Sequence, residues 1–437
     1  MYTTQITVYC IQLQCLFDII MKQQNSKSET IAIIGAGIIG VTAAFRLKQA
    51  GFQVTLFDKE DIAQGCSKGN AGHFATEQVF PLAQKSLLPQ VPKMLLDPLG
   101  PFSISPSYFH KAIPWFFKFI NNMRPKLFNA NKEALKSFNK IAMNSWDALI
   151  SETNLGSLFH KQGSLLTFES VSDNEAIKVQ REYQAEGIAV ELLNKKQVNN
   201  LEPGISNKVT WALLFRDVAH TCCPETLTKE IYKKAEKLGV EFEKCEISTI
   251  ESDNKLVTIT SKNKIYQTDR VLLATGAHSK LLCKQLGFTV PLETERGYHY
   301  MVKSANQPNR PIVSYERKFI MTPMKNGLRL AGTVEFAGLD KEMNTRRVDA
   351  LLLSGKSIWP QIEDTKEGNY RWMGFRPSLP DSKPVVGKSP KHNNIYFAFG
   401  HQHLGLTLAA INAEVITDCI LDKKPSISLK PYSIDRF

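Results

Sequence analysis

Residues 31–59 read IAIIGAGIIGVTAAFRLKQAGFQVTLFDK, and this run restricts the fold more than any other part of the chain. Ile31 to Ile34 is a continuous apolar stretch, as expected of a parallel strand covered on both faces. Gly35, Gly37 and Gly40 follow with G-x-G-x-x-G spacing. The first glycine permits a tight turn, the second lets backbone approach a pyrophosphate, and the third lets the helix pack close to the strand. Val41 to Ala50 keeps a helical pattern that Gly51 ends, and Val54 to Phe57 is the next strand. Asp58 lies 18 residues after Gly40, close to the ~20 expected of an acid that binds a ribose hydroxyl. Strand, glycines, helix, strand and acid in that order predict a dinucleotide site with phosphate at the helix N-terminus. The motif does not separate FAD from NAD.

A chain of 437 residues has room for two or three domains of about 150 residues each. Lys plus Arg number 54 against 42 Asp plus Glu, a net charge of +12. That balance suits an anionic membrane or a nucleic acid, but no run of like charge forms a basic tail, and a thinly basic surface is the preferred reading. The eight cysteines contain no C-x-x-C pair, so neither a zinc nor a dithiol site is expected, and no metal is assigned. A reduced cytoplasmic setting fits them. No stretch has the ~18 apolar residues of a membrane span. Residues 1–28 read as an N-terminal extension outside the fold, with Met21 as an alternative start.

Further along, GCSKGNAGHF (65–74) reads as a loop running past the pyrophosphate toward the reactive ring. His73 there is read as packed, in preference to contact with the ring or a covalent flavin attachment. Residues 84–127 are rich in proline and aromatic residues and leave the cofactor domain. Within them AIPWFFKFI (112–120) reads as a buried amphipathic helix in preference to a membrane-touching patch. Lys132 to Leu155 predicts a helix, Val240–Phe242 and Val257–Thr260 predict strands around a polar hairpin, and RVLLATGAHS (270–279) predicts a second buried parallel strand. Alternating segments from 291 to 336 predict an antiparallel sheet. Ile395–Phe399 is a third buried strand, and GHQHLGLT (400–407) turns into another helix. With no second G-x-G-x-x-G, a separate NAD(P)H domain is not expected.

GAGIIG (35–40), Asp58, GCSKGNAG (65–72), VLLATGAHS (271–279), ERGYH (295–299), GLRLAGTVEF (327–336), GFRPSLPDSKPVVG (374–387) and FAFGHQHLGLTLA (397–409) together resemble the D-amino-acid oxidase superfamily of FAD proteins. Within it the chain is most similar to bacterial D-amino-acid dehydrogenases, including those acting on cis-4-hydroxy-D-proline. The resemblance covers about Thr30 to Ile420. It implies an α/β fold: a Rossmann-like FAD-binding domain in three chain segments (29–98, 219–286 and 371–437) with an inserted α+β substrate domain (99–218 and 287–370) built on an antiparallel sheet. It places Gly35, Gly37 and Gly40 at the pyrophosphate, Asp58 at the adenosine ribose and Ile247 at adenine through its backbone. Gly400, His401, Gly405, Leu406 and Thr407 fall beside the flavin's pyrimidine edge. Ala36, Ile38, Ile39, Lys59, Ser67, Asn70, Ala71, Gly72, Thr275 and Gly276 complete the implied cofactor contacts.

The chemistry so implied is passage of the Cα hydrogen to flavin N5 as hydride, giving an imine that hydrolyses to a 2-oxo acid, or a pyrroline from a cyclic amine. An arginine suits the substrate carboxylate, because its planar fork takes both oxygens and keeps its charge. Arg376, in G-x-R-P, falls on the family's anchor. Arg296 is a second candidate that also reads as a brace of the sheet, Tyr298 reads equally as a substrate contact or as packing, and His401 and His403 remain open. A quinone or respiratory-chain acceptor is expected, with a peripheral contact on the inner face of the cytoplasmic membrane. The alternatives are a glycine- or sarcosine-type oxidase using oxygen, or a tRNA-modifying flavoenzyme. No nucleic-acid module is visible to support the last.

Overall fold

The computed structural model describes residues 28–262, 264–363 and 367–437. The expected N-terminal extension lies outside them apart from Ser28.

A six-stranded sheet holds the glycine motif. Its order is Val385–Lys388, Ile395–Phe399, Arg270–Leu273, Thr30–Ile34, Gln53–Asp58, Glu241–Lys244, parallel throughout except for the first pair. Strand alternation splits the core into two layers. Ile31 and Ile33 point to the helices Ile38–Gln49, Pro224–Lys237 and Gly405–Ile420. Ala32 and Ile34 point to a three-stranded meander and the helix Ser279–Gln285. Both faces are thus covered, which is why these strands are apolar without interruption. The meander corrects one sequence expectation. Val240–Phe242 runs into the edge strand of the parallel sheet, and the hairpin partner of Val257–Ser261 is Ile247–Ser252.

The second sheet has nine strands. Along its path run Tyr370–Ser378, Glu293–Val302, Gly327–Phe336, Phe319–Met324, Ile312–Ser314, Ser164–Phe168, Trp211–Phe215 and Glu191–Asn194. Its pairings are antiparallel apart from Ile312–Ser314 on Ser164–Phe168 and the ninth strand, Phe102–Ile104, on Val334–Phe336. Tyr370–Ser378 belongs to this sheet, so the seam between the two parts falls near Ser378 and not at residue 371. The helix Pro125–Thr153 starts at a proline, seven residues earlier than expected. Ala134, Leu135, Phe138 and Trp146 on it join the core of the parallel sheet, although residues 99–218 read as substrate domain.

Candidate active site

The glycine turn is built as its spacing requires. Gly35 has φ +113°, and a Cβ there would stand 2.3 Å from the Ala274 carbonyl oxygen. A Cβ on Gly40 would stand 1.9 Å from the Gly35 oxygen, so this glycine holds helix against strand. Gly37 differs, since a Cβ there would meet only the Ser67 Oγ, at 3.2 Å. Its role is to leave space in front of the helix. Helix Ile38–Gln49 has no side-chain cap and no acid in its first turn. Ser67 Oγ accepts from the Ile38 amide at 2.9 Å, and the Ile39 and Gly40 amides donate to nothing among the described residues. Unbonded amides at a positive helix end, beside a cradle that a side chain would fill, fit an anionic pyrophosphate. Asp58 closes the turn: its carboxylate accepts from the Ala36 amide at 2.7 Å and the Glu60 amide at 3.0 Å. Lys59 beside it is exposed.

From Asp58 the chain enters the loop that ends at Gly72, and this loop is clamped from two sides. On the large-sheet side, His299 Nδ1 donates to the Gly69 oxygen at 3.1 Å, Cys66 Sγ donates to the Phe375 oxygen at 2.7 Å, and Arg329 donates to the Asn70 oxygen. Trp372, stacked on His299 with centroids 4.9 Å apart, lies where a Cβ on Gly69 would be. Asn70 Oδ1 accepts from the Gly72 amide at 2.8 Å, which fixes Ala71 between them. On the other side the Ala75 amide donates to Thr407 Oγ1 at 2.9 Å, in the first turn of helix Gly405–Ile420. Trp146 Nε1 donates to the Leu406 and Thr407 oxygens, both at 3.0 Å, so the 125–153 helix fixes the same turn.

Arg376 stands in this seam. It is half-buried, and Nη1 donates to the Thr333 oxygen at 3.2 Å. No other partner engages its remaining N–H groups among the described residues. The guanidinium lies over Gly297, where a Cβ would come within 2.3 Å of Cζ. Opposite it the ladder carries a bulge. Gly297 pairs with Val334 and Tyr298 with Gly332, leaving Thr333 as the extra residue with φ +57°. A bulge of this kind re-aims groups at a site, and here it turns a carbonyl to Arg376. Glu295, registered with Arg376 across the strands, is buried and accepts from Ser378 Oγ at 2.5 Å. Burial raises its pKa against the opposing pull of Arg376. Burial likewise pushes the Cys66 thiol up to about 11. The pKa of His403 is lowered to about 4 by desolvation and then by Arg376, although its side chain is exposed in the structure. Desolvation thus disfavours the charged form of each of these neighbours, and Arg376, whose guanidinium keeps its charge, leaves the pocket cationic.

Several expected site residues lie elsewhere. Residues alternate across a strand, so Arg296 and Tyr298 point away from Arg376. The Arg296 guanidinium is caged by the oxygens of Gly338, Leu339, Lys341 and Glu342. The Tyr298 hydroxyl donates to Glu335, and its ring packs in the core with Val348 and Leu351. His401 is buried, held at about 4 by that burial, and bonded through Nε2 to Asn412 Oδ1 at 3.2 Å, on the helix and not in the seam. Gly400 keeps its place in the turn, with φ +80° and Leu379 where a Cβ would fall. Ile247 starts the meander strand in the core layer that holds Phe57. Thr275 Oγ1 pairs with Ser279 Oγ at 2.9 Å beside Gly276, whose φ is +54°. His73 turns its ring to Glu77, with Nε2 3.6 Å from Oε1. The sequence reading did not single out Glu295, Thr333, His299, Trp372 or Arg329. Glycines inside strands, Gly297 and Gly374, were the available signal, since each marks a place where another group comes close. Among the described residues no cluster suited to a metal is present and no helix is long and apolar enough to cross a membrane.

Among curated proteins the chain is 31% identical over 414 residues to the D-amino-acid oxidase of Bradyrhizobium diazoefficiens, spanning 93% of this chain and 98% of the relative. Among solved structures it resembles glycine oxidase from Geobacillus kaustophilus, with TM-score 0.74, 18% identity and coverage of 94% of this chain and 100% of that one. L-proline dehydrogenase from P. horikoshii superposes with TM-score 0.70 at 18% identity, covering 94% and 98%. These likenesses agree with the Rossmann-like architecture and the glycine cradle, and residues 30–419 match the FAD dependent oxidoreductase family DAO: the chain belongs to that family and is an FAD-dependent oxidoreductase.

Proposed function

We propose that the enzyme oxidises the Cα–N bond of a D-amino acid, or of a cyclic D-imino acid such as a D-proline derivative, and passes the electrons to a quinone or another respiratory-chain component. The observation that carries the reading is Arg376, a half-buried guanidinium with one hydrogen bond, standing where the glycine loop meets the sheet. Such a fork matches a carboxylate bidentately. Around it desolvation disfavours the charged forms of Cys66, Glu295 and His403, which favours an anionic ligand as the partner of its charge. The 31% identical relative, a D-amino-acid oxidase, supports the D-configuration.

FAD would be held by Gly35, Gly37, Gly40 and the Ile39 amide at its phosphates, by Asp58 at a ribose, and by the loop 65–72 and the turn 400–407 at its ring. When bound, it supplies the acceptor for a hydride. The chain's own contribution is orientation. Arg376 fixes the carboxylate, and Gly297 leaves room for the guanidinium. The loop and the Gly405 helix, tied through Ala75 and Thr407, close the seam against water.

The test is to record the visible spectrum of the purified protein and to follow anaerobic bleaching with a panel of D- and L-amino acids, glycine and sarcosine. Bleaching by D-acids, with faster turnover on a quinone analogue than on oxygen, is expected. Bleaching by glycine or sarcosine alone, with rapid oxygen consumption, overturns the proposal in favour of an amine oxidase.

A further inference from the structure

The helix Phe109–Asn122 has two apolar sides. Ala112 and Trp115 are buried beneath it, yet Phe109, Phe117 and Ile120 are 51%, 71% and 51% exposed. At ~100° per residue, Phe109, Ile113, Phe117 and Ile120 share about one quarter of the helix circumference. Beside them Leu88 is 45% exposed, and Lys85 is exposed as well. Lys85, Leu88, Phe117, Ile120 and Arg124 together line a shallow groove of about 410 Å³. Twelve large apolar side chains are exposed among the described residues, and six of them fall between Leu88 and Ile120. Four of the six, Leu88, Phe109, Phe117 and Ile120, gather along this groove and helix side, and such a set marks an interaction surface.

Charge identifies the partner. Residues 78–131 contain six Lys or Arg and a single acid, Asp97, whereas the whole chain has 54 against 42. Lys85, Lys111, Lys118, Arg124 and Lys126 are exposed. We propose that this surface, from Lys85 to Lys126, docks on an anionic lipid bilayer. Phe117, Ile120, Leu88 and Phe109 would enter the boundary between headgroups and acyl chains, and the flanking cations would meet the phosphates. A second copy of the chain fits poorly, because a two-fold contact would set this basic face against itself.

The surface is firmly joined to the active-site sheet. Trp115 Nε1 donates to the Ser378 oxygen at 3.4 Å, and the rings of Trp115 and Phe116 each lie 5.1 Å from that of Phe336. Strand Phe102–Ile104 pairs with Val334–Phe336, directly after the bulge that faces Arg376. Docking here would hold the enzyme in one orientation on the membrane, where a lipid-soluble electron acceptor resides. That last link rests on the proposed acceptor, and the docking itself does not.

Sedimentation of the full-length, flavin-loaded protein with vesicles tests this without substrate, so its failure is distinct from failure of the amino-acid reading. Binding to vesicles of equal parts phosphatidylglycerol and phosphatidylcholine is expected, with little binding to phosphatidylcholine alone and release by salt. Lys85→Glu with Lys118→Glu and Arg124→Glu should weaken binding roughly a hundredfold or more. Phe117→Ser with Ile120→Ser should weaken it at least about tenfold. Both variants change exposed residues outside the site, so flavin content and turnover with a soluble dye acceptor should match wild type. If either variant misfolds, the salt and lipid dependence of the wild-type protein decides. Wild-type protein that ignores anionic vesicles overturns the proposal. So do variants that bind as wild type does, and so does a concentration-dependent dimer abolished by Phe117→Ser in a protein that binds no vesicles.

Discussion

Arg296 and Arg376 sit on neighbouring strands of one sheet, in adjacent rungs, and do opposite things. Arg296 is fully buried and spends its donors on four backbone oxygens of the 338–342 turn. Arg376 is half-buried and has one bond, to the bulged Thr333. The difference follows from the pleat, since one residue of displacement along a strand moves a side chain to the other face. One face carries the large sheet's own hydrophobic core under helix Thr345–Ile358, where a charge is tolerated only if its donors are satisfied. The other face meets the glycine loop, and a guanidinium left open there is set for a ligand. Residue type alone does not separate a brace from an anchor. Unused hydrogen-bond capacity does.

The largest expected effect comes from removing the open arginine. In Arg376→Ala two charge-assisted hydrogen bonds to a carboxylate are lost, at roughly 1.5–3 kcal/mol each. At 1.4 kcal/mol per tenfold, kcat/KM for the best amino acid should fall by about two to four decades. Arg376→Lys should recover only part, and flavin content should stay at the wild-type level. The amide of the same amino acid should be penalised far less than the acid. A nearly silent Arg376→Ala would break the comparison.

Arg296→Ala should reverse the pattern. Four carbonyls lose their donor, and the buried turn has no substitute, so the loss should be about 2–5 kcal/mol of stability, read as a lower unfolding midpoint. Under conditions where the variant stays folded, kcat/KM should remain within about tenfold of wild type, without selectivity for the carboxylate. A carboxylate-selective loss here would exchange the two roles.

Gly297→Ala sharpens the contrast without touching either arginine. The atoms nearest the added methyl are those of the Arg376 guanidinium, the far end of a flexible side chain, so that side chain must shift. A displaced anchor costs orientation, and kcat/KM should fall roughly ten- to a hundredfold with the unfolding midpoint little changed. Gly40→Ala is the control: its methyl meets the Gly35 carbonyl at 1.9 Å, which cannot move aside, and both flavin and fold should suffer.

Much of this could be read from the sequence. The glycine cradle was legible because Gly35, Gly37 and Gly40 act within one local turn, and the parallel strands because their apolar runs are continuous. Arg376 stands out in the sequence through its motif, and the structure gives it one hydrogen bond, to the Thr333 oxygen. Arg296, Tyr298 and His401 read as site residues because they are close to Arg376 or to the turn in sequence. That Arg296 and Tyr298 face away from Arg376 depends on which face of a strand meets the loop, and the alternation of 293–302 cannot show that while every residue in it is buried. The bulge at Thr333 is set by pairing between distant strands and leaves no mark at that position. The helix Pro125–Thr153 was recognised as a helix, but its amphipathic face does not say which of two cores it joins.

Glu295 offers the smallest effect and the finest test of why Arg376 works. It is registered with Arg376, buried, and has Oε2 without a partner, so the charged form is disfavoured and its pKa is raised above the usual carboxylate range. The direction fixes the sign. Below the raised pKa the side chain is a neutral acid and leaves the guanidinium field undiminished. As pH rises through it, a carboxylate forms beside Arg376 and competes with the substrate for the same cation, so KM should rise across that titration. The folded state also loses stability as pH rises from the ordinary carboxylate pKa to the raised one, because over that interval only the unfolded chain has released the proton. Glu295→Gln keeps the neutral shape and cannot ionise. Below the raised pKa its kcat/KM should lie within about threefold of wild type, since a polar isostere replaces a protonated acid. As pH rises through that pKa its KM should stay flat while that of wild type climbs. A Gln variant already impaired at neutral pH in KM, with the same pH profile as wild type, would mean that Glu295 is charged beside Arg376. The two arginines would then differ in their partners and not in their freedom.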